Sequence, residues 1–394
     1  MANITKFDLP DGSTVILTLK RHAFNVFHKP QNDLWTFDLE GRLIGMFVDQ
    51  QNYRRTMENH FFRKTRSDNN DLLFRGVENI YRDEVDPILS KVRALLTDIE
   101  DKIPESFKDI ISKIFRMNWA TLVNDANQFS KIYLPIAILP PDQYMSLVIQ
   151  LTEGCNYNKC TFCNFYRDRP FRIKTHDELK KHVSQIKSLF GNGILLKKSI
   201  FLADANALVT PQSRLLPAIK HIRNIFPEIP GIYSFIDVFT GLRKTKNDFT
   251  QLAINGLKRV YLGVESGNQD LLKLLNKSQS NNAIIALTQL LKSSGISVGI
   301  IFLAGAGGIP YAKNHAEDSI SLIQQLHLSK DDIIYISEFY QTNEIYDNSL
   351  KQLNIAIPPR KKINELATKL KNEIKKVAPK DVSVSIYDIN QFFY

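Results

Sequence analysis

The sequence predicts an α/β protein: a partial (β/α)6 barrel, preceded by a mixed α+β accessory domain and followed by a short C-terminal extension. Two observations carry this. Between about residues 144 and 337, six short strands alternate with amphipathic helices. Each of these strands is apolar on both faces, as parallel strands covered by helices are. The 394-residue length accommodates one large domain and a smaller companion.

In chain order, residues 12–50 alternate apolar and polar positions around turn signals, in STVILTLKR, LWTFDLE and RLIGMFVD, which predicts a small antiparallel meander. From about Leu72 to Lys131 the spacing becomes helical, with Pro104 separating two segments. Residues 1–140 are therefore expected to form the accessory domain. After Pro140 and Pro141 the strands YMSLVIQL, SIFLA, GIYSFID, RVYLGV, ISVGIIFL and DIIYIS follow one another, each trailed by a helix, and define a core at 141–340. The extension at 341–394 holds a lysine-rich helix, about Arg360 to Val377, and a strand in VSVSIYDI. In a barrel of this kind functional groups gather at the C-terminal ends of the strands.

Apolar residues are 43% and charged residues 23% of the chain, ordinary for a soluble globular protein. No apolar run reaches the ~18 to 20 residues of a membrane span, and the start, MANITKFDLPDG, has no signal pattern. The expectation is a cytoplasmic protein with no membrane partner. The net charge of +10 suits an acidic partner such as nucleic acid, or simply a solvated basic surface.

All three cysteines, Cys155, Cys160 and Cys163, fall within nine residues, directly after the first strand of the core. An odd, tightly spaced set is a poor disulfide framework and suits thiolates kept for a metal. Three thiolates on a four-iron cube leave one iron open for chemistry. The competing readings are a zinc site, which wants four ligands and finds no histidine nearer downstream than His176, or three free thiols.

The segment GCNYNKCTFCNFYRD resembles the cluster loop of the radical SAM superfamily, and the likeness extends over about Tyr144 to Ser337. The usual spacing there is Cx3Cx2C, whereas this chain has Cx4Cx2C. The resemblance implies that the three cysteines hold a [4Fe-4S] cluster, that the open iron binds S-adenosylmethionine (SAM), and that an external flavodoxin- or ferredoxin-like protein supplies single electrons. It places Phe162 near the adenine, Glu265 of GVESG and Lys277 near the SAM, and Asp204 and Asn206 of FLADANAL where many members have a glycine-glycine-glutamate turn. Gly305, Gly307 and Gly308 would let backbone approach the adenine. No residue is singled out as a catalytic acid or base.

Other residues admit two readings. Arg167, Arg169, Arg172 and Lys174 either steer an anionic substrate or pair with surface acids. Arg54, Arg55, Arg63, Lys64 and Arg66, interleaved with Tyr53, Phe61 and Phe62, match phosphate contact with base stacking; the simpler reading is a helix burying aromatics and solvating arginines. His22 and His28 either reach a substrate or are structural. The absence of further cysteines, of a DxHxxG segment and of a Walker loop argues against a second all-cysteine cluster, the usual cobalamin module and a phosphate loop. Two functions remain: a radical enzyme acting on a small molecule or an RNA, or a cluster- and SAM-binding carrier, for example for haem.

Overall fold

The computed structural model describes residues 2–66, 75–277, 279–339, 343–389 and 394. The chain divides into two compact units, one of Met1–Pro135 and Ser184–Lys198 with the chain's last residues, the other of Ile136–Val183 and Ser199–Phe392.

The first unit opens with eight strands, β1 (Asn3–Asp8), β2 (Thr14–Leu19), β3 (Phe24–Lys29), β4 (Asp33–Phe37), β5 (Leu43–Val48), β6 (Gln51–Arg55), β7 (Phe61–Arg66) and β8 (Arg75–Ile80). Each pairs antiparallel with the next. Helices α1 (Arg82–Thr97), α2 (Glu105–Arg116) and α3 (Trp119–Ile132) follow. Alternation builds the core: Val15, Val26, Trp35, Met46 and Phe61 bury one sheet face in a cluster with Val85, Leu89, Phe107 and Ile111 of the helices.

The meander is longer than expected, because period-2 alternation persists beyond residue 50. Tyr53, Arg55 and Phe61 turn inward, while Asn52, Arg54 and Phe62 turn outward. The arginine and aromatic cluster is thus on strands, not a helix. Val77 and Ile80 have helical spacing, yet pairing with β7 places them in β8; Leu72, the expected helical start, lies outside the described residues. Arg55 is buried, donating to Asn59 Oδ1 (2.8 Å) and pairing with Asp125 (3.4 Å), to which Arg42 also donates (3.0 Å). His28 is buried in this unit and His22 is exposed.

The second unit is built on a parallel sheet. Its elements run β9 (Ser146–Gln150), a two-strand ribbon of β10 (Thr152–Glu153) with β11 (Arg172–Ile173), α4 (His176–Phe190, which begins here), β12 (Ser199–Ala203), α5 (Gln212–Ile225) and β13 (Ile232–Phe235). They continue with α6 (Val238–Leu242), α7 (Lys246–Ile254), β14 (Leu257–Glu265), α8 (Gln269–Leu274), α9 (Asn281–Ser293) and β15 (Ser297–Ala304). The last are α10 (Gly308–Gln325), β16 (Ile333–Glu338), α11 (Glu344–Gln352), α12 (Arg360–Val377) and β17 (Ser383–Tyr387). The sheet order is β9-β12-β13-β14-β15-β16-β17, with every pair parallel. The six expected strands are present, and the strand in VSVSIYDI adds a seventh to the same sheet. Every residue of β9 and β12 is buried, which explains the apolar runs LVI and IFLA within them.

The turn before β9 plugs the N-terminal end of the sheet. Asp142 accepts from Tyr335 (2.8 Å), Tyr261 (2.5 Å) and Arg259 Nη1 (2.8 Å). Tyr261 fits only because β15 has a glycine opposite it: a Cβ on Gly299 would lie 2.3 Å from the Tyr261 ring. Gly299→Ala should therefore cost about 1–3 kcal/mol through overpacking, read as a lowered midpoint in urea with an unchanged slope; an unchanged midpoint would show that the ring can move aside.

Candidate active site

The loop from Gly154 to Tyr166 opens at the C-terminal end of β9, and four groups of contacts fix it. Gly154, at φ +75, donates its N–H to Asp204 Oδ2 (3.0 Å), while Asp204 Oδ1 accepts from Gln150 (3.0 Å). Burial raises the Asp204 carboxyl above its ordinary range, against the pull of the Gln150 and Gly154 hydrogen bonds. Arg167 donates to the carbonyls of Cys163 (2.9 Å) and Cys160 (2.8 Å), tying two cysteines together through their backbone.

The loop also caps helix α8. The last carbonyls of a helix have no partner within it, and here Thr161 supplies donors, its Oγ1 to Leu274 O (3.0 Å) and its N–H to Leu275 O (3.1 Å). Tyr157 Oη donates to Asn276 O (2.6 Å), and Asn276 Nδ2 to Lys159 O (2.8 Å). Asn276 has φ +49, a conformation asparagine tolerates. Its N–H returns to Lys273 O (3.0 Å) and that of Lys277 to Leu272 O (2.8 Å), the paired bonds of a Schellman turn.

That turn delivers Lys277 to Glu265. The parallel register slips between Gly263 and Glu265, and Glu265 takes φ +62. A bulge of this kind re-aims a side chain at a strand end. Glu265, buried, accepts from Lys277 Nζ at 3.0 Å. Burial opposes the Lys277 charge, but Glu265 and the Cys160 sulfur outweigh it, so the pKa is raised and the ammonium persists. A Cβ on Gly263 would lie 2.5 Å from Glu265 Oε1. Gln279 donates to the carbonyls of Gly263 (3.1 Å) and Val264 (2.8 Å) and covers the bulge.

A cavity of about 490 Å³ joins these groups. Cys155, Cys160, Phe162, Cys163, Asn206, Glu265 and Lys277 all line it, alongside apolar side chains such as Phe235, Ile301 and Leu303. Asn206 donates from Nδ2 to Asp237 and to Thr240 Oγ1 (2.9 Å), yet its buried Oδ1 has no hydrogen-bond partner. Asp237 also accepts from Asn156 Nδ2 (3.1 Å), so its carboxylate is satisfied by protein. Burial pushes the Cys160 thiol up to about 11, with Lys277 pulling the other way, and Cys163 is raised likewise. A metal must therefore displace protons from these sulfurs on binding.

The sequence-predicted residues thus part company. Seven face the cavity; Asp204 is absent from its lining and instead secures Gly154. Gly305, Gly307 and Gly308 are not in the lining either: all three adopt positive φ, and Gly307 and Gly308 pack against α11 and the segment after it. Arg172 pairs with Glu153 (2.5 Å) and Glu178 (2.7 Å), Lys174 with Glu153, and Arg169 with Asp168 (3.1 Å), so the acid-pairing reading holds for these three, whereas Arg167 bonds the cysteine carbonyls. Sequence reasoning missed Asp237, Asn156 and Gln279; the D-x-x-T spacing of Asp237 and Thr240, a helix N-cap signature, was available.

The donor set fits an iron–sulfur cube better than a single ion. Among the described residues no three His, Cys, Asp or Glu side chains converge on one ion position. A cube does not require them to, since each thiolate binds a different iron.

The three cysteines thus lie on one loop at the C-terminal mouth of a parallel sheet with helices between its strands. Residues 149–322 match the Radical SAM superfamily, so the chain carries a domain of that superfamily. Members of that superfamily use a [4Fe-4S] cluster with SAM. The chain is 23% identical over 173 residues to 4'-phospho-dehydrooxetanocin synthase of Priestia megaterium, which amounts to 40% of this chain but 23% of that protein. Among solved structures it is similar to the cobalamin-dependent SAM radical enzyme OxsB (20% identity, covering 60% of this chain and 32% of that one, TM-score 0.36). It is likewise similar to coproporphyrinogen III oxidase from Escherichia coli (16%, covering 58% and 52%, TM-score 0.43). The chain therefore spans about a quarter of the length of the curated relative it matches.

His315 supports the site from behind. Its Nδ1 lies 2.7 Å from the hydroxyl of Ser266, the residue after Glu265, and burial pushes its pKa down to about 4. The folded state thus binds fewer protons than the unfolded chain between about pH 6.5 and 4. Stability should be full above pH 6.5 and fall as the pH drops through that window. A His315→Gln variant should lose much of that slope in pH-dependent thermal melts; an unchanged slope would assign it elsewhere.

Proposed function

We propose that this protein is a radical SAM enzyme in which Cys155, Cys160 and Cys163 hold the cluster and Phe162, Asn206, Glu265 and Lys277 receive SAM. The observation that carries the reading is the convergence of three thiols, the Glu265–Lys277 pair and an unpaired amide oxygen on one cavity. When bound, the cluster and SAM supply reductive cleavage of a sulfonium and a 5'-deoxyadenosyl radical that removes hydrogen from a substrate.

The chain's own residues bind, orient and exclude. Asn206 Oδ1 offers an acceptor to the amino group of SAM, and Lys277 faces its carboxylate. Glu265 anchors Lys277 and offers its second oxygen to a ligand hydroxyl or amine. Phe162, packed against the cluster of Leu271, Leu275 and Leu303, gives a flat wall for the adenine. Apolar side chains around the remaining volume keep water away from a reactive intermediate. Asp204 is assigned to holding the loop rather than SAM. An external one-electron donor of the flavodoxin or ferredoxin type completes the set, and the substrate is a small molecule or an RNA. The carrier alternative has no observation in its favour, since it leaves the open acceptor and the ion pair unused. No helix among the described residues is long and apolar enough to cross a membrane.

Anaerobic reconstitution with iron and sulfide, followed by dithionite and SAM, should yield 5'-deoxyadenosine by mass spectrometry. A cluster that assembles without any 5'-deoxyadenosine, with or without candidate substrates, would overturn the enzyme reading. Cys160→Ala should lose most of its iron and sulfide while keeping its far-ultraviolet spectrum. Glu265→Ala should keep iron but bind SAM about tenfold to a hundredfold more weakly, as expected for losing a charge-assisted hydrogen bond of ~1.5–3 kcal/mol; unchanged SAM affinity would remove Glu265 from the site.

A further inference from the structure

We propose that the outward face of the first unit's sheet binds single-stranded nucleic acid, its phenylalanines stacking on bases and its cations meeting phosphates. The inference stands apart from the SAM site and uses none of its residues.

Register places the relevant side chains in rows. Ile16 pairs with Phe27, Phe27 with Leu34, Leu34 with Phe47, Phe47 with Asn52 and Asn52 with Lys64. In the adjacent row Thr36 pairs with Gly45, Gly45 with Arg54 and Arg54 with Phe62. Adjacent strands lie ~4.8 Å apart, so Phe27 and Phe47, two strands from one another, stand roughly 10 Å apart on one line. Phe47 is 38% exposed, and Phe27 and Phe62 are partly so, although their partners on the opposite face are fully buried.

Charge selects the occupant. Lys29, Arg54 and Lys64 occupy outward strand positions, as do Lys6 and Asp8, which pair with one another. Gly45 makes room for one of these cations, since a Cβ there would lie 3.2 Å from Arg54 Cδ. Arg54 can therefore lie flat on the sheet beside Phe62. Thr18, Asn25, Thr36 and Asn52 intervene, donors and acceptors that suit base edges. A protein interface would keep charge out of its centre; an aromatic line with Arg54 in the adjacent row and Lys64 two strands beyond Phe47 matches how single strands are held, by sequence-tolerant stacking and phosphate contact.

The test uses the full chain and fluorescence anisotropy with a labelled 12-nucleotide RNA, its DNA equivalent and the matching duplex. Either single strand should bind more tightly than the duplex, and the stronger of the two identifies the natural strand. Phe27→Ala with Phe47→Ala should weaken binding about tenfold or more. Arg54→Gln should reduce the slope of log affinity against log salt by about 0.7, the value of one single-strand phosphate contact. The proposal is overturned by absence of binding at low salt, by duplex preference, by binding to anionic vesicles alone, or by unchanged affinity in a double variant that melts like the parent. The same variants should form 5'-deoxyadenosine from SAM at the parental rate, so failure here is separable from failure of the SAM reading.

Discussion

The second unit depends on one reciprocal arrangement, the capping of helix α8 by the cysteine loop. A six-residue helix has little stability of its own, because nucleation consumes most of what its few hydrogen bonds return. Asn268 caps its start through Leu271 N (2.9 Å), and Thr161 satisfies carbonyls at its end. In return the helix end gives the loop a rigid surface on which three cysteines hold a shape they could not hold alone. The same end makes the left-handed turn at Asn276 that presents Lys277. The cysteine loop and Lys277 are therefore positioned by a single local structure.

Electrostatics at the cavity follows from that coupling. A buried ion pair repays its desolvation only when its geometry is good and its remaining polar atoms are met. Glu265 and Lys277 meet the first condition at 3.0 Å, and the proximity of Cys160 adds to the hold on the ammonium. Removing either partner would leave the other charge unmatched beside the thiols. Gly263 is part of the same economy: any side chain there would occupy the space of the Glu265 carboxylate.

Most of this unit was legible because its signals are local. Strand and helix texts between residues 144 and 337 have short, unambiguous periods, and the three cysteines adjacent in the text line one cavity. The Asp204 contact was not legible, since only the fold brings Gln150 and Gly154 to that carboxylate. The glycines after β15 lie outside the cavity lining, and positive φ for a turn and close approach to a ligand leave the same residue in the text. In the first unit the helical spacing of Val77 and Ile80 competed with strand pairing, and a neighbouring strand decided the outcome, as tertiary context routinely does for short segments. Arg54 and Arg55 are adjacent and chemically alike; only the pleat sends one to the core beside Asp125 and the other to the surface.

Saturation of the polar groups around the cavity makes the exception informative. Asp237 is filled by Asn156, Asn206 and Thr240, Asp204 by Gln150 and Gly154, and the bulge carbonyls of β14 by Gln279. Folded chains pair nearly all buried polar atoms, because each orphan costs about 1–3 kcal/mol. Asn206 Oδ1 is buried at the cavity wall without a partner, and its amide nitrogen is locked by Asp237 and Thr240, so the side chain cannot flip to escape. In the proposed function this oxygen is the acceptor offered to the ligand. An ammonium or hydroxyl group of a ligand answers that requirement, and a purely apolar ligand does not.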